Sequence, residues 1–298
     1  MKILLSGSSG LVGKELTKTL ISLNHKVLRL IRDKKDIKDD AIFWDPENNI
    51  LELDHIKDID AVIHLAGENI ANKRWSKKQK EIILESRVKS TKLLSDKILN
   101  LDLKPQVFIS ASAIGYYGTQ TIEPVNESDP PGKSFLSYVC ENWENSTKSS
   151  RNSGIRTVNI RIGIILSPLG GALKKMLTPF KLGLGGKIGD GNQIMSWISL
   201  EDTVKSIIHI LKNEHLSGPV NLTNPNPVNN YEFTKKLGKK LSKITIFPLP
   251  KTIVKLIFGE MGEELLLSSI DARPDAMISS GYKFTHENLS DYFDNESL

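Results

Sequence analysis

Directly after an apolar run, Lys2-Ile-Leu-Leu-Ser6, the chain reads Gly7-Ser-Ser-Gly10-Leu-Val-Gly13 and continues with apolar residues at helical spacing. Few local patterns constrain a fold so tightly. After a strand and before a helix, the three glycines act differently. The first allows a tight turn, the second lets backbone approach a pyrophosphate, and the third lets helix and strand pack closely. The helix start adds free N–H groups and the positive end of its dipole, both suited to phosphate. Gly7, Ser9, Gly10, Leu11, Val12 and Gly13 are therefore candidate cofactor-binding residues. The loop lacks the Lys-Ser/Thr ending of a P-loop, which argues against ATP or GTP hydrolysis.

Further along, short apolar runs alternate with longer amphipathic ones, the pattern of strand-helix units around a parallel sheet. The pattern predicts strands over 2–6, 26–31, 61–65, 107–110 and 157–166, and helices over 11–23, 77–99 and 134–149. After Leu166 the texture changes to a glycine-dense stretch, 182–191, which predicts a long loop at an active-site mouth. A helix over 199–212 and a strand over 219–222 return to the sheet, and Asn224-Pro-Asn-Pro227 is a linker signal. Helices are predicted over 231–241 and 264–269, and the polar end, 291–298, is expected to fray. The expected architecture is α/β: a Rossmann doubly wound parallel sheet with a smaller discontinuous C-terminal lobe. Residues 1–169 with about 195–223 would form the nucleotide domain, and 170–194 with 224–298 the substrate lobe and C-terminal module.

The second strand ends His25-Lys-Val-Leu-Arg-Leu-Ile-Arg32, about 20 residues past the glycines, where NAD-preferring proteins place a carboxylate for the ribose hydroxyls. A guanidinium there suits a 2′-phosphate, because it is permanently charged and bonds two oxygens at once. Arg32 thus points to NADP(H), although a slip of one residue would bring in Asp33. The third strand ends in small residues, Leu65-Ala66-Gly67, where the ligand crevice of such a sheet lies. His64 is alone in mid-strand and reads as a packed core histidine.

Composition bounds what else the chain does. At 298 residues, 39% hydrophobic and 25% charged, it is an ordinary globular protein. The net charge of +5 comes from lysines scattered along the sequence without the interleaved aromatics of single-strand nucleic-acid binders, so no nucleic-acid partner is expected. Cys140 is the sole cysteine, which excludes an intrachain disulfide and a cysteine-rich metal site and fits a reducing compartment. The strand-like start leaves no room for a signal peptide, and no apolar run approaches the ~20 residues of a spanning helix. A cytoplasmic protein with no membrane partner is the expectation. The histidines, His25, His55, His64, His209, His215 and His286, show no i, i+4 pair, so no metal is expected. No Gly-x-Ser-x-Gly elbow supports a serine hydrolase.

Several runs also carry a resemblance: Val62-Ile-His-Leu-Ala-Gly-Glu-Asn-Ile-Ala71, Lys73-Arg-Trp75, Ser86-Arg-Val88, Ser110-Ala-Ser-Ala-Ile-Gly-Tyr-Tyr-Gly118, Trp143-Glu144, Trp197-Ile198 and Phe258-Gly-Glu-Met-Gly-Glu-Glu. Together they resemble the NAD(P)-binding epimerase-like family of atypical extended short-chain dehydrogenases, often labelled cell-division-inhibitor-like, with its C-terminal module. The resemblance covers nearly the whole chain. It implies NADP(H) bound by the glycine loop, by Arg32, by Leu65-Ala66 and by a basic residue at Arg87.

Typical short-chain dehydrogenases use a Tyr whose pKa is lowered by a Lys four residues on. When Glu144 is aligned with the usual downstream acid, that pair reads Leu136 and Cys140 here, and Tyr138 is out of register. Ser112 matches the hydroxyl that hydrogen-bonds the reacting oxygen, or else caps nearby backbone. Tyr116 or Tyr117 is the other candidate, with Tyr117 grouped with Ser112 as the catalytic pair. Cys140 reads as a small buried apolar residue. The expected function is that of an NADP(H)-binding epimerase or oxidoreductase acting on a small polar metabolite; the alternative is a non-catalytic NADP-binding regulator or scaffold linked to cell division.

Overall fold

The computed structural model describes residues 1–298 apart from 37–39, 54, 55, 57 and 122. In chain order the elements are β1 (Lys2–Ser6), α1 (Leu11–Ser22), β2 (Lys26–Ile31), β3 (Ala41–Asp45), β4 (Ile50–Leu51), β5 (Ala61–His64), α2 (Lys77–Lys97), β6 (Val107–Ala113), α3 (Phe135–Asn145), α4 (Lys148–Asn152), β7 (Arg156–Ile162) and β8 (Ile164–Leu166). They continue with α5 (Gly171–Lys181), β9 (Ile194–Met195), β10 (Trp197–Ser199), α6 (Leu200–Lys212), β11 (Gly218–Leu222), β12 (Val228–Asn229), α7 (Asn230–Lys240), α8 (Lys251–Phe258), α9 (Glu260–Leu265), α10 (Asp275–Ser279) and α11 (Leu289–Asn295).

Eight strands form one sheet in the order β11-β7-β6-β5-β1-β2-β3-β4. Every pairing is parallel except the short β3–β4 edge. The strands read as continuous apolar runs because both faces are covered. Leu16 and Leu20 of α1 and Ile207 and Leu211 of α6 fill one face with Ile3, Leu5 and Ile63; Leu93 and Leu94 of α2 fill the other with Leu4, Val62 and Phe108. The order reverses between β2 and β5 on either side of β1, and ligand crevices open at the carboxyl ends of strands at such a switch point.

A third core, built from Leu173 and Leu177 of α5, Trp197, Phe233 and Leu237 of α7, and Tyr292 and Phe293 of α11, lies beneath the C-terminal part. The end of the chain therefore does not fray as its polarity suggested: α11 is capped by Asn288, which accepts from the backbone of Ser290 and Asp291, and buries two aromatic rings. The helix expected over 264–269 is corrected as well. α9 ends at Leu265, and Ser269 and Ile270 instead bridge to Gln120 and Met195.

The strand expected over 157–166 divides at Gly163, whose N–H donates to the Leu222 carbonyl while Ile164 turns to Ser196. A Cβ on Gly163 would stand 2.5 Å from the Ser196 carbonyl oxygen, so glycine lets β8 leave the main sheet and pair with β10. The glycine-dense stretch has no regular element between Lys181 and Ile194, but Ile188 bridges to Leu249. Among the described residues no helix is long and apolar enough to cross a membrane.

Candidate cofactor and active site

At the switch point the glycine loop and the end of β5 meet. Gly7 has φ +72, and a Cβ there would lie 2.7 Å from the Leu65 carbonyl carbon and 2.9 Å from the Ala66 nitrogen. Gly13 is buried against the turn itself, with its missing Cβ 2.1 Å from the Gly7 oxygen. Leu11 and Val12 are half-buried, and Ser9 and Gly10 are exposed. The start of α1 has no side-chain cap and no acidic residue in its first turn, so its N–H groups and dipole face the crevice without a competing anion. Leu11 packs beneath Gly170 and Gly171, at the start of α5.

One buried relay fixes the facing backbone. Leu65 N–H donates to Ser6 Oγ at 3.2 Å, Ser6 lies 2.6 Å from His64 Nδ1, His64 Nε2 lies 3.1 Å from Ser90 Oγ, and Ser90 donates to the Ser86 carbonyl at 2.6 Å. Because Ser90 commits its proton to that carbonyl, His64 carries its proton on Nε2 and accepts from Ser6 at Nδ1. Full burial pushes the His64 pKa from 6.5 down to about 3, with the Arg87 charge acting in the same direction. In the unfolded chain the same ring titrates near 6.5. His64 thus contributes stability above that pH, and the contribution is lost as pH falls towards about 3. Urea unfolding at stepped pH should show this acid-side loss for the wild type and a flatter profile for His64→Gln.

Arg32 directly follows β2, with its side chain exposed. It adds to the lowering of the Asp45 carboxyl, which is held down chiefly by its hydrogen bond to Asn48. Arg87, on α2, is half-buried beside Gly67: its guanidinium donates to the Ile83 and Glu68 carbonyls at 3.0 Å each and lies 4.9 Å over the Trp143 ring. Burial lowers its pKa, and the ionisable groups acting on it are Cys140 and Glu68. The structure thus gathers Gly7–Gly13, Leu65–Gly67 and Arg87 about one crevice, with Arg32 at the neighbouring strand end.

The residues expected to be catalytic lie in a second network. Ser112, at the end of β6, donates to Glu144 Oε1 at 2.7 Å, and Glu144 takes a two-pronged contact from Arg161, Nε at 2.9 Å and Nη2 at 3.0 Å. Arg161 also donates to the Tyr117 hydroxyl at 2.9 Å, and that hydroxyl donates to Asn221 Oδ1 at 2.8 Å. Burial, offset in part by Arg161, pushes Tyr117 up to about 12. Tyr117 is therefore a buried phenol with both of its hydroxyl functions in use. Tyr116 is half-buried, with the Arg161 guanidinium 3.5 Å from its ring centroid.

On α3, Cys140 is buried and its thiol is pushed up to about 11, chiefly by burial. It is an inert wall of the site. Sequence reasoning left Arg161 and Asn221 out. An arginine inside the apolar run 157–166 was the one signal, since a buried guanidinium requires a partner. Among the described residues no three His, Cys, Asp or Glu side chains gather as a metal site, and His55 lies outside the described residues.

Comparison with known proteins agrees with this geometry. Residues 3–223 match the NAD dependent epimerase/dehydratase family, and residues 249–296 match a domain of unknown function, DUF1731. An epimerase family protein of Mycobacterium bovis is 40% identical over 97% of this chain and 95% of its own length. Human epimerase family protein SDR39U1, crystallised with NADPH, superposes with a TM-score of 0.89 at 30% identity, covering 98% of both chains. A nucleoside-diphosphate sugar epimerase from Corynebacterium glutamicum superposes with a TM-score of 0.81 at 32% identity, over 97% of this chain and 56% of that one. The glycine loop and the switch-point crevice fall within residues 3–223, and this chain belongs to the NAD dependent epimerase/dehydratase family.

Proposed function

We propose that this chain binds NADP(H) at the carboxyl ends of β1, β2 and β5 and acts as an oxidoreductase or epimerase on a small polar metabolite. The observation that carries the reading is the uncapped, acid-free start of α1 with the exposed Arg32 guanidinium at the end of the adjacent strand. Gly7, Ser9, Gly10, Leu11, Val12 and Gly13 would hold the pyrophosphate, Arg32 the 2′-phosphate, and Leu65, Ala66 and Gly67 would lie along the dinucleotide. When bound, the nicotinamide supplies the hydride donor or acceptor.

The chain's own residues replace part of the missing Tyr-Lys pair. Cys140 stands where the lysine would be, and Arg87 reaches the same wall of α3 from α2, over Trp143. It supplies a permanent positive charge there. Ser112, whose proton is committed to Glu144, has lone pairs left to accept from a substrate hydroxyl, so it orients the alcohol form.

A non-catalytic, NADP(H)-liganded regulator is favoured by one observation: Tyr117 is committed to Arg161 and Asn221, and α3 presents Leu136 and Cys140 in place of phenol and ammonium. Transfer of label from deuterated NADPH to a panel of sugar nucleotides and carbonyl compounds separates the two readings. Transfer by the wild type, slowed on the order of a hundredfold in Arg87→Met and partly restored in Arg87→Lys, supports the enzyme. NADPH binding without transfer to any member would leave the regulator.

A further inference from the structure

Large apolar side chains that stay exposed crowd onto one face of the C-terminal part. On α8, Val254 is the buried contact, while Ile253, Leu256 and Ile257, at i, i+3 and i+4, form an outward stripe, with Leu256 75% exposed. Beside it run Ile246 and Phe247, and Leu184 of the glycine-dense loop joins the same edge. The join is tight: Leu249 N–H donates to the Lys187 carbonyl at 2.9 Å, Gly189 N–H donates to the Leu249 carbonyl at 2.8 Å, and a Cβ on Gly186 would strike the Phe247 carbonyl oxygen. A contiguous exposed apolar surface of this kind marks an interaction site.

Charge says what covers it. Segments 181–189 and 243–259, which carry these residues, contain five lysines and no acidic residue. Acids from neighbouring segments reach two of them: Asp190 pairs with Lys251 and Glu263 with Lys255. A second copy seated on the same face would oppose like charges. An apolar helical stripe flanked by lysines instead matches an anionic bilayer surface, where aliphatic side chains enter the headgroup boundary and ammonium groups meet lipid phosphates.

We propose that this face, centred on α8 and the 182–187 loop, docks the protein peripherally on anionic lipid bilayers. Docking of this kind needs no spanning segment, which is all that the sequence-based expectation of no membrane contact considered. It is independent of the NADP(H) reading.

The test is flotation of the full-length protein with vesicles of phosphatidylcholine alone or mixed with phosphatidylglycerol. The proposal requires flotation with the mixed vesicles, release at high salt, and little flotation with phosphatidylcholine alone. Leu256→Glu should abolish it, and the pair Lys181→Gln with Lys243→Gln should weaken it roughly tenfold or more. Both variants should retain the wild-type circular dichroism spectrum and thermal transition. No flotation on anionic vesicles, equal flotation on neutral ones, or unchanged flotation of Leu256→Glu would overturn the proposal. So would a dimer in sedimentation equilibrium that Leu256→Glu dissociates, since a second copy would then cover the face.

Discussion

Arg161→Met is expected to lose about 3–5 kcal/mol of folding stability, the usual result of removing one partner from a buried ion pair. The Arg161 side chain is 3% exposed and that of Glu144 12%, so the remaining carboxylate has little water to turn to. It would keep only the Ser112 hydroxyl among its present side-chain donors. The Tyr117 hydroxyl loses a donor at the same time, and the Tyr116 ring loses the guanidinium against it. For a chain of this size the melting temperature should fall by on the order of 10 °C. Replacing both partners, Arg161→Met with Glu144→Leu, should recover much of the loss, because no uncompensated charge is then left buried. Thermal and urea unfolding of the three proteins decide the matter: an Arg161→Met variant within about 1 kcal/mol of wild type would mean that the pair is solvated and that the network does not hold the strand ends.

The second large effect is expected at Gly13. The added methyl of Gly13→Ala would begin 2.1 Å from the Gly7 oxygen, 2.8 Å from the Gly7 carbonyl carbon and 2.8 Å from Ser8 Cα. All three atoms are backbone, so relief requires α1 to move away from β1. Overpacking of this sort costs about 1–3 kcal/mol, and here it also displaces the helix N-terminus that would receive the pyrophosphate. Nucleotide affinity should fall a hundredfold or more, with a measurably lower melting temperature. Gly10→Ala provides the contrast, since its Cβ would meet only the Gly7 oxygen, at 3.3 Å, and should cost far less in stability. Equal melting and equal nucleotide titration for wild type and Gly13→Ala would refute the packing argument.

Much of this arrangement was legible in the sequence because its determinants are local. Gly7, Gly10 and Gly13 sit within seven consecutive residues, the buried strands are continuous apolar runs, and α6 forms over Leu200–Lys212 where a helix was expected over 199–212. What escaped depends on distant partners. Ser112, Tyr117, Glu144, Arg161 and Asn221 come together from three strands, a short 3-10 turn and a helix. No spacing rule relates their positions. The C-terminal helix α11 was missed because its polar residues dominate the local composition, whereas Tyr292 and Phe293 find their burial only against α7 and Trp197. The helix expected over 264–269 ends early for another reason: past Leu265 the backbone turns to bridge Ser269 to Gln120 and Ile270 to Met195, partners more than 70 residues away that no local pattern announces.

The most direct test of the central claim is a fluorescence titration of wild type and Arg32→Ala with NADPH and NADH. A guanidinium on the 2′-phosphate supplies charge-assisted hydrogen bonds of about 1.5–3 kcal/mol. NADPH should therefore bind wild type at least tenfold more tightly than NADH. Arg32→Ala should weaken NADPH by about the same factor and leave NADH nearly unchanged, so that the preference disappears. If neither nucleotide binds wild type, or if the preference for NADPH survives in Arg32→Ala, the assignment of the crevice and of Arg32 is wrong.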